Sequence, residues 1–334
     1  MHSYDTADAR PKPPVAAKRQ YPAGRVNFGR SPRRGDVTET VAVTGGNGRV
    51  GQAVLERLSA EGYRTVNLSR GKRDEHHSDA YLTTDLLDAG EVYGSVAKSD
   101  ADAVVHLGML PTPEATPGYR TFESNAMSSY HVLEAAGELG VETVTLASSF
   151  SAIGGGFEPD PITVDYLPVD ESHRLTPSTP YGMGKQTLET VADGFARRNE
   201  GAPQTITSLR FPWVVDDAIA RETFVEADRT LSGMRESGSF HTERNMLFSY
   251  AHMSDVVDLV RRTVEASFDG HERVWVSAPD TSVATPSDEL LAELFGDVTV
   301  RDDFPESDHA ALVDTSKATA LFDWEPTWRW RQLR

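Results

Sequence analysis

Cysteine is absent from the 334 residues. Disulfide frameworks, thiolate metal sites and cysteine nucleophiles are therefore excluded, and no metal-ligand set is read from the remaining residues. Lysine is almost as scarce: only six of the 33 bases are lysines, and 51 acids outnumber those bases for a net charge of −18. No apolar run approaches the roughly 20 residues of a membrane-spanning helix, so the chain is expected to be soluble. The sign of the charge argues against nucleic acid or an anionic membrane as partner. A surface this acidic and this poor in lysine suits a salt-rich cytoplasm, where self-repulsion is screened; an ordinary acidic enzyme is the plainer alternative.

The first 36 residues invert that balance. They carry eight bases (Arg10, Lys12, Lys18, Arg19, Arg25, Arg30, Arg33, Arg34) against three acids, or +5, which leaves −23 on the rest. Several prolines, no periodic apolar face and no hydrophobic stretch after Arg33-Arg34 describe a disordered basic arm rather than a signal segment.

What is present begins at Val41-Ala42-Val43-Thr44, a short apolar, largely β-branched run that reads as a strand. It empties into Gly45-Gly46-Asn47-Gly48-Arg49-Val50-Gly51 and then into a segment with Val54, Leu55 and Leu58 at helical spacing. Strand, glycine turn and helix in this order form a dinucleotide site. One glycine permits the tight turn, one lets backbone approach a pyrophosphate, and one lets the helix pack on the sheet. The helix N-terminus offers unpaired N–H groups to the phosphates.

From Thr38 the chain alternates. Strands are expected at Arg64–Leu68, Ala80–Thr84, Ala103–Gly108, Val141–Ser148 and Thr205–Phe211, with helices at Phe122–Leu139 and Tyr181–Arg198. This is the pattern of an α/β fold with a parallel, doubly wound sheet. Beyond Phe211 the pattern loosens. Val256–Ala266, Val274–Ser277 and Glu289–Phe295 read as elements of a smaller lobe.

Tyr181 and Lys185 stand four apart, on one face of a helix that follows the fifth strand. A phenol with a pKa near 10 is a poor base at neutral pH, and an ammonium a helical turn away favours the phenolate. Ser148-Ser149, at the carboxyl end of the fifth strand, is where a parallel sheet presents a hydroxyl to the same site.

In sum the sequence resembles the extended short-chain dehydrogenase/reductases, the NAD-dependent epimerase/dehydratase family of nucleotide-sugar epimerases, dehydratases and sugar dehydrogenases. The residues that carry the resemblance are Thr44-Gly45-x-x-Gly48-x-x-Gly51, Asp85, His106-Leu107-Gly108, Asn125, Ser148-Ser149 before Gly154, Pro180-Tyr181-x-x-x-Lys185, Leu209-Arg210-Phe211 and Phe248–Val256. The resemblance covers roughly residues 38 to 328.

The resemblance implies a Rossmann-type domain over 37–215. Residues 216–334 would then be mostly a substrate-binding lobe, some of whose elements return to the first domain. It implies Tyr181 as acid/base, Lys185 on the nicotinamide ribose and Ser149 on the substrate oxygen. Asn125 would lie near the cofactor, or else be a helix-packing residue. Gly45, Asn47, Gly48, Arg49, Val50, Gly51, Leu107, Gly108, Met109, Phe211 and Pro212 would complete the cofactor site, and Met109, Ser149, Ser151 and Trp213 the substrate side. A homodimer through the helices at 122–139 and 181–198 is implied as well.

The position where a carboxylate would pair the ribose 2′-OH of NAD is Ser69, followed by Arg70. Serine plus guanidinium suits a 2′-phosphate, so NADP is preferred, with NAD as the alternative. Asp85 and Leu86 would flank the adenine. On the substrate side, Trp213 replaces an asparagine usual in nucleotide-sugar members, and only about 40 residues separate Arg210 from Tyr250. Both points favour a small free sugar. Trp213 stacks on a pyranose or is a core residue. His241 and Arg244 could reach a substrate but read more simply as surface, and His76-His77 as solvated.

The expectation is an NADP-preferring aldose 1-dehydrogenase similar to the pentose and hexose dehydrogenases of salt-adapted organisms, with L-arabinose, glucose 6-phosphate and uronates as candidates. The alternatives are a nucleotide-sugar epimerase or dehydratase with tightly bound NAD, and a catalytically silent NADP sensor.

Overall fold

In a computed structural model of the chain, residues 39–110 and 116–333 are described. The basic arm expected at the N-terminus lies outside them, as do residues 111–115 of the loop after the fourth strand. The order is β1 (Thr40–Thr44), α1 (Arg49–Ala60), β2 (Arg64–Ser69), β3 (Ala80–Thr83), α2 (Ala89–Ser99), β4 (Ala103–His106), α3 (Gly118–Glu138) and β5 (Thr143–Ser149). After a 3-10 turn at Phe150–Ile153 come β6 (Tyr166–Leu167), α4 (Pro180–Ala196), β7 (Thr205–Phe211), β8 (Trp213–Val215), α5 (Asp217–Ala220), a π turn (Arg221–Glu226), α6 (Leu231–Ser237) and α7 (Phe240–Asn245). The chain ends with β9 (Tyr250–His252), α8 (Met253–Glu265), β10 (Gly270–Trp275), α9 (Ser287–Leu294), β11 (Thr299–Val300), α10 (Ser316–Phe322) and a last 3-10 turn.

Seven strands form one parallel sheet in the order β10-β7-β5-β4-β1-β2-β3. This is the Rossmann-type α/β fold. A parallel sheet buried on both faces needs strands that are apolar throughout, and β1 shows why its sequence is β-branched rather than alternating. Val41 and Val43 join the core under α1, α8 and α10, whereas Ala42 joins the opposite core with Val66, Val104 and the apolar residues of α2, α3 and α4. The chain winds outward from β1 in both directions, so the crevice between the carboxyl ends of β1 and β4 is the switch point where such sheets hold ligands.

Helix α2 was not read from the sequence. Its N-cap is Asp88, whose carboxylate accepts the Glu91 N–H at 2.9 Å, while Glu91 reaches back to the Asp85 N–H at 2.7 Å. The assignment of α8 and β10 to the smaller lobe is also corrected. β10 pairs with β7 as the seventh strand of the main sheet, and α8 packs on α1. The remaining lobe holds the parallel pairs β6/β11 and β8/β9 and two apolar clusters, one centred on Phe224, Tyr250 and Trp330. Among the described residues, no helix is long and apolar enough to cross a membrane.

The C-terminal segment is stitched back through Asp255 of α8. Its carboxylate accepts the N–H groups of Thr327 and Trp328 and the Thr327 hydroxyl, and its carbonyl accepts the Trp324 indole N–H. Hydrogen bonds to a charged acceptor are worth about 1.5–3 kcal/mol each. Asp255→Ala should therefore lower stability by at least about 1.5–3 kcal/mol in urea titration; an unchanged midpoint would show that the segment docks through Trp324 and Trp330 alone.

Candidate dinucleotide and catalytic site

The glycine turn sits at the end of β1 because it must. Gly45 has φ +71°, and a Cβ there would lie 2.6 Å from Cα of Gly108 on the neighbouring turn. At Gly51 a Cβ would come within 2.2 Å of the Gly45 carbonyl oxygen. Gly108 is held by its N–H and that of Leu107 donating to the Thr44 hydroxyl, and Leu86 packs beneath it. The two turns thus close on each other with no side chain between them, and α1 opens from extended Gly48 with its first amides unpaired by the helix. Val50 packs against the core below.

Two residues of this turn point elsewhere than expected. The Asn47 side chain donates to the Lys72 carbonyl at 3.0 Å and accepts from Asn67 and the Asp74 N–H, so it holds the β2–β3 loop. Arg49 pairs with Asp216 at 3.2 Å and donates to the Val214 carbonyl at 2.7 Å, tying α1 to β8. Only their backbones remain for a phosphate.

At the end of β2, Ser69 donates to the Asn67 amide oxygen at 2.7 Å and accepts the Asn47 N–H. Arg70 is exposed, whereas Arg73 is paired with the buried Glu75. Burial alone would raise the Glu75 pKa, but hydrogen bonds from Ser78, Asn67 and His77 bring it down to about 2. His76 is exposed. Asp85 is exposed and Leu86 buried, at the carboxyl edge of the β3 side.

The structure brings the three catalytic candidates together. Ser149 ends β5, and its hydroxyl faces the Tyr181 side chain closely enough to oppose the effect of burial on the phenol. Tyr181 lies in the first turn of α4, which Thr179 caps by accepting the Gly182 N–H and Pro180 starts with a preset φ. Lys185 Nζ lies 5.5 Å from the Tyr181 ring centroid, 2.6 Å from the Ala147 carbonyl and 3.3 Å from Met109 Sδ. Burial pushes the Lys185 ammonium down to about 7, with Glu189 opposing; burial also raises Tyr181, with the Ser149 hydroxyl opposing. The two groups therefore stand further apart in proton affinity than they do in water, where phenol and ammonium titrate close together.

Asn125, on α3, donates to Leu110 and Thr121 carbonyls, and its buried Oδ1 has no partner among the described residues. The orphaned acceptor, together with the space kept clear by Gly45, Gly51 and Gly108, fits a bound dinucleotide, which Lys185 and Asn125 would help to hold. Phe211 pairs in register with Ser149, so Phe211 and Pro212 reach the same level of the sheet.

Glu189 and Phe157 were not singled out from the sequence, and His106 was read only as part of the His106-Leu107-Gly108 motif. His106 lies fully buried between Thr44 and Ser128, and burial, with help from Lys185, lowers it to about 3, so it is neutral. Glu189, one turn beyond Lys185, accepts from Ser148, Arg210 and Arg273. Phe157 packs edge-on to Tyr181 at 5.7 Å. The i+4 spacing from Lys185 was a visible signal for Glu189; Phe157 had none.

On the substrate side, Ser151 is buried in the 3-10 turn with its N–H donating to Ser149 Oγ. Trp213 is partly buried against Phe224 in the aromatic cluster. His241 hydrogen-bonds the Glu158 carbonyl, and Arg244 lies over the Phe295 ring, so both serve the lobe's own packing.

The profile of the NAD dependent epimerase/dehydratase family matches residues 41–276. The chain belongs to this family. It is similar to a UDP-glucose 4-epimerase of Rhizobium leguminosarum bv. trifolii, 25% identical over 325 residues that cover 86% of this chain and 93% of that one. It is also similar to an NAD-dependent glucose-6-phosphate dehydrogenase of Haloferax volcanii, 31% identical over 162 residues, 46% of this chain and 61% of that one. The crystal structure of a Thermotoga maritima UDP-glucose 4-epimerase with UDP-glucose shares the fold, with a TM-score of 0.64, 21% identity, and coverage of 87% of this chain and 94% of that one.

The relatives are mostly UDP-sugar epimerases, and a particular resemblance to L-arabinose dehydrogenase is not among them. As a family member, this is an NAD-dependent epimerase/dehydratase-type enzyme. Gly51→Ala should weaken dinucleotide binding by about tenfold or more, because the Gly45 carbonyl must shift to admit the methyl group. Calorimetry with NAD and NADP checks this, and unchanged affinity would place the dinucleotide elsewhere.

Proposed function

We propose that the protein oxidises a sugar carbinol with Tyr181 as the proton acceptor. The observation that carries this reading is the convergence of Ser149, at the end of β5, with Tyr181 in the first turn of α4 and Lys185 5.5 Å from the Tyr181 ring centroid, at the carboxyl end of the sheet. The Tyr181 oxygen, as phenolate, takes the proton of the substrate hydroxyl. The Ser149 hydroxyl donates to the same substrate oxygen as its bond to carbon becomes a carbonyl, and the Lys185 ammonium stabilises the phenolate beforehand. A bound nicotinamide dinucleotide supplies the acceptor for the carbinol hydrogen and its electron pair.

The relatives favour a nucleotide-sugar as substrate, interconverted with resident NAD and no net oxidation. They support this over the free-aldose reading reached from the sequence, because the alignment to a UDP-glucose 4-epimerase runs nearly end to end. A second reading, net oxidation of a small sugar, is supported by the lobe's cations. Arg229 is paired with Glu243, Arg235 with Glu293, Arg301 with Asp170, Asp303 and Asp314, and Arg331 with Asp280. These guanidiniums are committed inside the protein rather than free to grip a diphosphate; Arg244, whose buried Nη1 has no partner among the described residues, is an exception.

Purified protein tested with UDP-glucose, and with L-arabinose, D-glucose and glucose 6-phosphate plus NAD or NADP, separates the two. Conversion of UDP-glucose without added cofactor supports the first; reduced cofactor accumulating with a free sugar supports the second. In either case Tyr181→Phe should cut the rate by about 10²–10⁴-fold with cofactor affinity kept. Retention of more than about a tenth of the rate would remove Tyr181 from the role.

For the cofactor, the family favours NAD, while exposed Arg70 beside Ser69, with no carboxylate at the ribose position, supports use of NADP. Arg70→Ala should then weaken NADP by about 10–100-fold and NAD by less than about twofold, since a charge-assisted bond contributes about 1.5–3 kcal/mol. Equal losses for the two would withdraw NADP.

A further inference from the structure

We propose that Glu158 is the positioning residue through which the substrate lobe sets the pose of Tyr181; this rests on Tyr181 being the proton acceptor. Glu158 lies in the loop after the Ser149 strand, next to Phe157, whose ring abuts Tyr181. Its carboxylate is buried and accepts the N–H groups of Ser178 at 2.8 Å and Thr179 at 3.1 Å, along with both of their hydroxyls. Those are the two residues immediately ahead of Pro180, and Thr179 is the cap from which α4 starts. The acid therefore fixes where the helix begins and which way its first turn presents the phenol.

The backbone carbonyl of the same residue faces the lobe. It accepts from Asn245 Nδ2 at 3.1 Å and from His241 at 3.0 Å, both on α7. Asn245 is fully buried and organises the rest of the loop: it also donates to the Asp160 carbonyl, accepts the Ile162 N–H, and its own carbonyl accepts the Gly156 N–H. Gly155 approaches that carbonyl so closely that a Cβ would lie 2.5 Å from it. One residue thus joins α7 to the N-cap of the catalytic helix through hydrogen bonds at its two ends, and a movement of α7 is transmitted to Tyr181 without passing through the sheet. A misplacement of about 1 Å at a reacting group costs on the order of 10²-fold in rate, so a device that fixes this turn matters to turnover.

The test compares Glu158→Ala, Glu158→Gln, Asn245→Ala and the double alanine variant. With whichever sugar of the panel above turns over, Glu158→Ala should lower kcat by about 10–100-fold and leave NAD affinity within about twofold. Glu158→Gln keeps an oxygen acceptor for the two N–H groups and should recover to within about threefold of wild type. Amide hydrogen exchange needs no substrate and reads the helix start directly. The amides of Gly182 and Met183, which donate to Thr179, should exchange at least about tenfold faster in Glu158→Ala and in Asn245→Ala, with the double variant no faster than Glu158→Ala. Unchanged exchange at these amides, additive acceleration in the double variant, or an equal loss of NAD affinity would overturn the proposal. Faster exchange without any effect on kcat would instead count against Tyr181 as the proton acceptor and leave the positioning intact.

Discussion

One buried carboxylate holds the catalytic helix to the ends of the strands. Glu189 has no exposure, and it receives Ser148 from β5, Arg210 from β7 and Arg273 from β10. A buried ion pair of this kind is weak evidence of net stability, since desolvation offsets much of the attraction. Removing one partner, however, leaves a stranded charge and costs several kcal/mol. Its structural consequence is therefore registry: α4 is pinned at the height where Tyr181 meets Ser149, because Ser148, the residue before Ser149, is bonded to the residue one turn beyond Lys185. Arg210 and Arg273 offset the charge of Glu189, so the carboxylate stays ionised in spite of its burial.

The same registry sets the electrostatics. Lys185 is desolvated enough to lose much of its proton affinity, and Glu189 restores part of it. Tyr181 is desolvated in the opposite sense, and Ser149 counters that. His106 contributes by remaining neutral: a second cation under the β4 turn would further depress Lys185, and burial prevents it. Tyr181 and Lys185 are thus tuned by what surrounds them rather than by the Tyr–Lys spacing alone, which supplies proximity but not affinity.

That distinction explains what could be read in the sequence. The strands of the main sheet, the glycine turn and the Tyr181/Lys185 face were legible because each is encoded within a few consecutive residues: β-branched runs, φ-permissive glycines, an i+4 pair. The position of Ser149 followed from its place at a strand end. By contrast, α8 and β10 were recognisable as a helix and a strand, yet nothing local says that β10 will pair with β7, 60-odd residues earlier. Glu158, Glu189 and Asn245 are ordinary polar letters whose roles arise only when segments distant in sequence meet. Asn47 and Arg49 show the converse: the motif named them, and their side chains bond the β2–β3 loop and β8 instead.

The acidic composition reaches into the lobe as well as over the surface. With 51 acids for 33 bases, most guanidiniums find a carboxylate nearby, and in the lobe Arg301 alone meets Asp170, Asp303 and Asp314. These pairs add to the apolar cluster in fastening β6, β11 and the C-terminal segments, and they neutralise most of the lobe's arginines from within. Trp213 adds to this by joining the Phe224 cluster, so the wall after β7 is aromatic rather than amide-bearing. A diphosphate entering such a lobe would have to be held by backbone N–H groups, by a guanidinium outside these pairs such as Arg244, or by an arginine drawn from its existing partner, with the desolvated carboxylate left behind as the cost. An uncharged sugar meets no such requirement. The tension between this chemistry and the nucleotide-sugar relatives therefore lies in the lobe, while the proposed roles of Ser149, Tyr181 and Lys185 at the strand ends are the same under either reading.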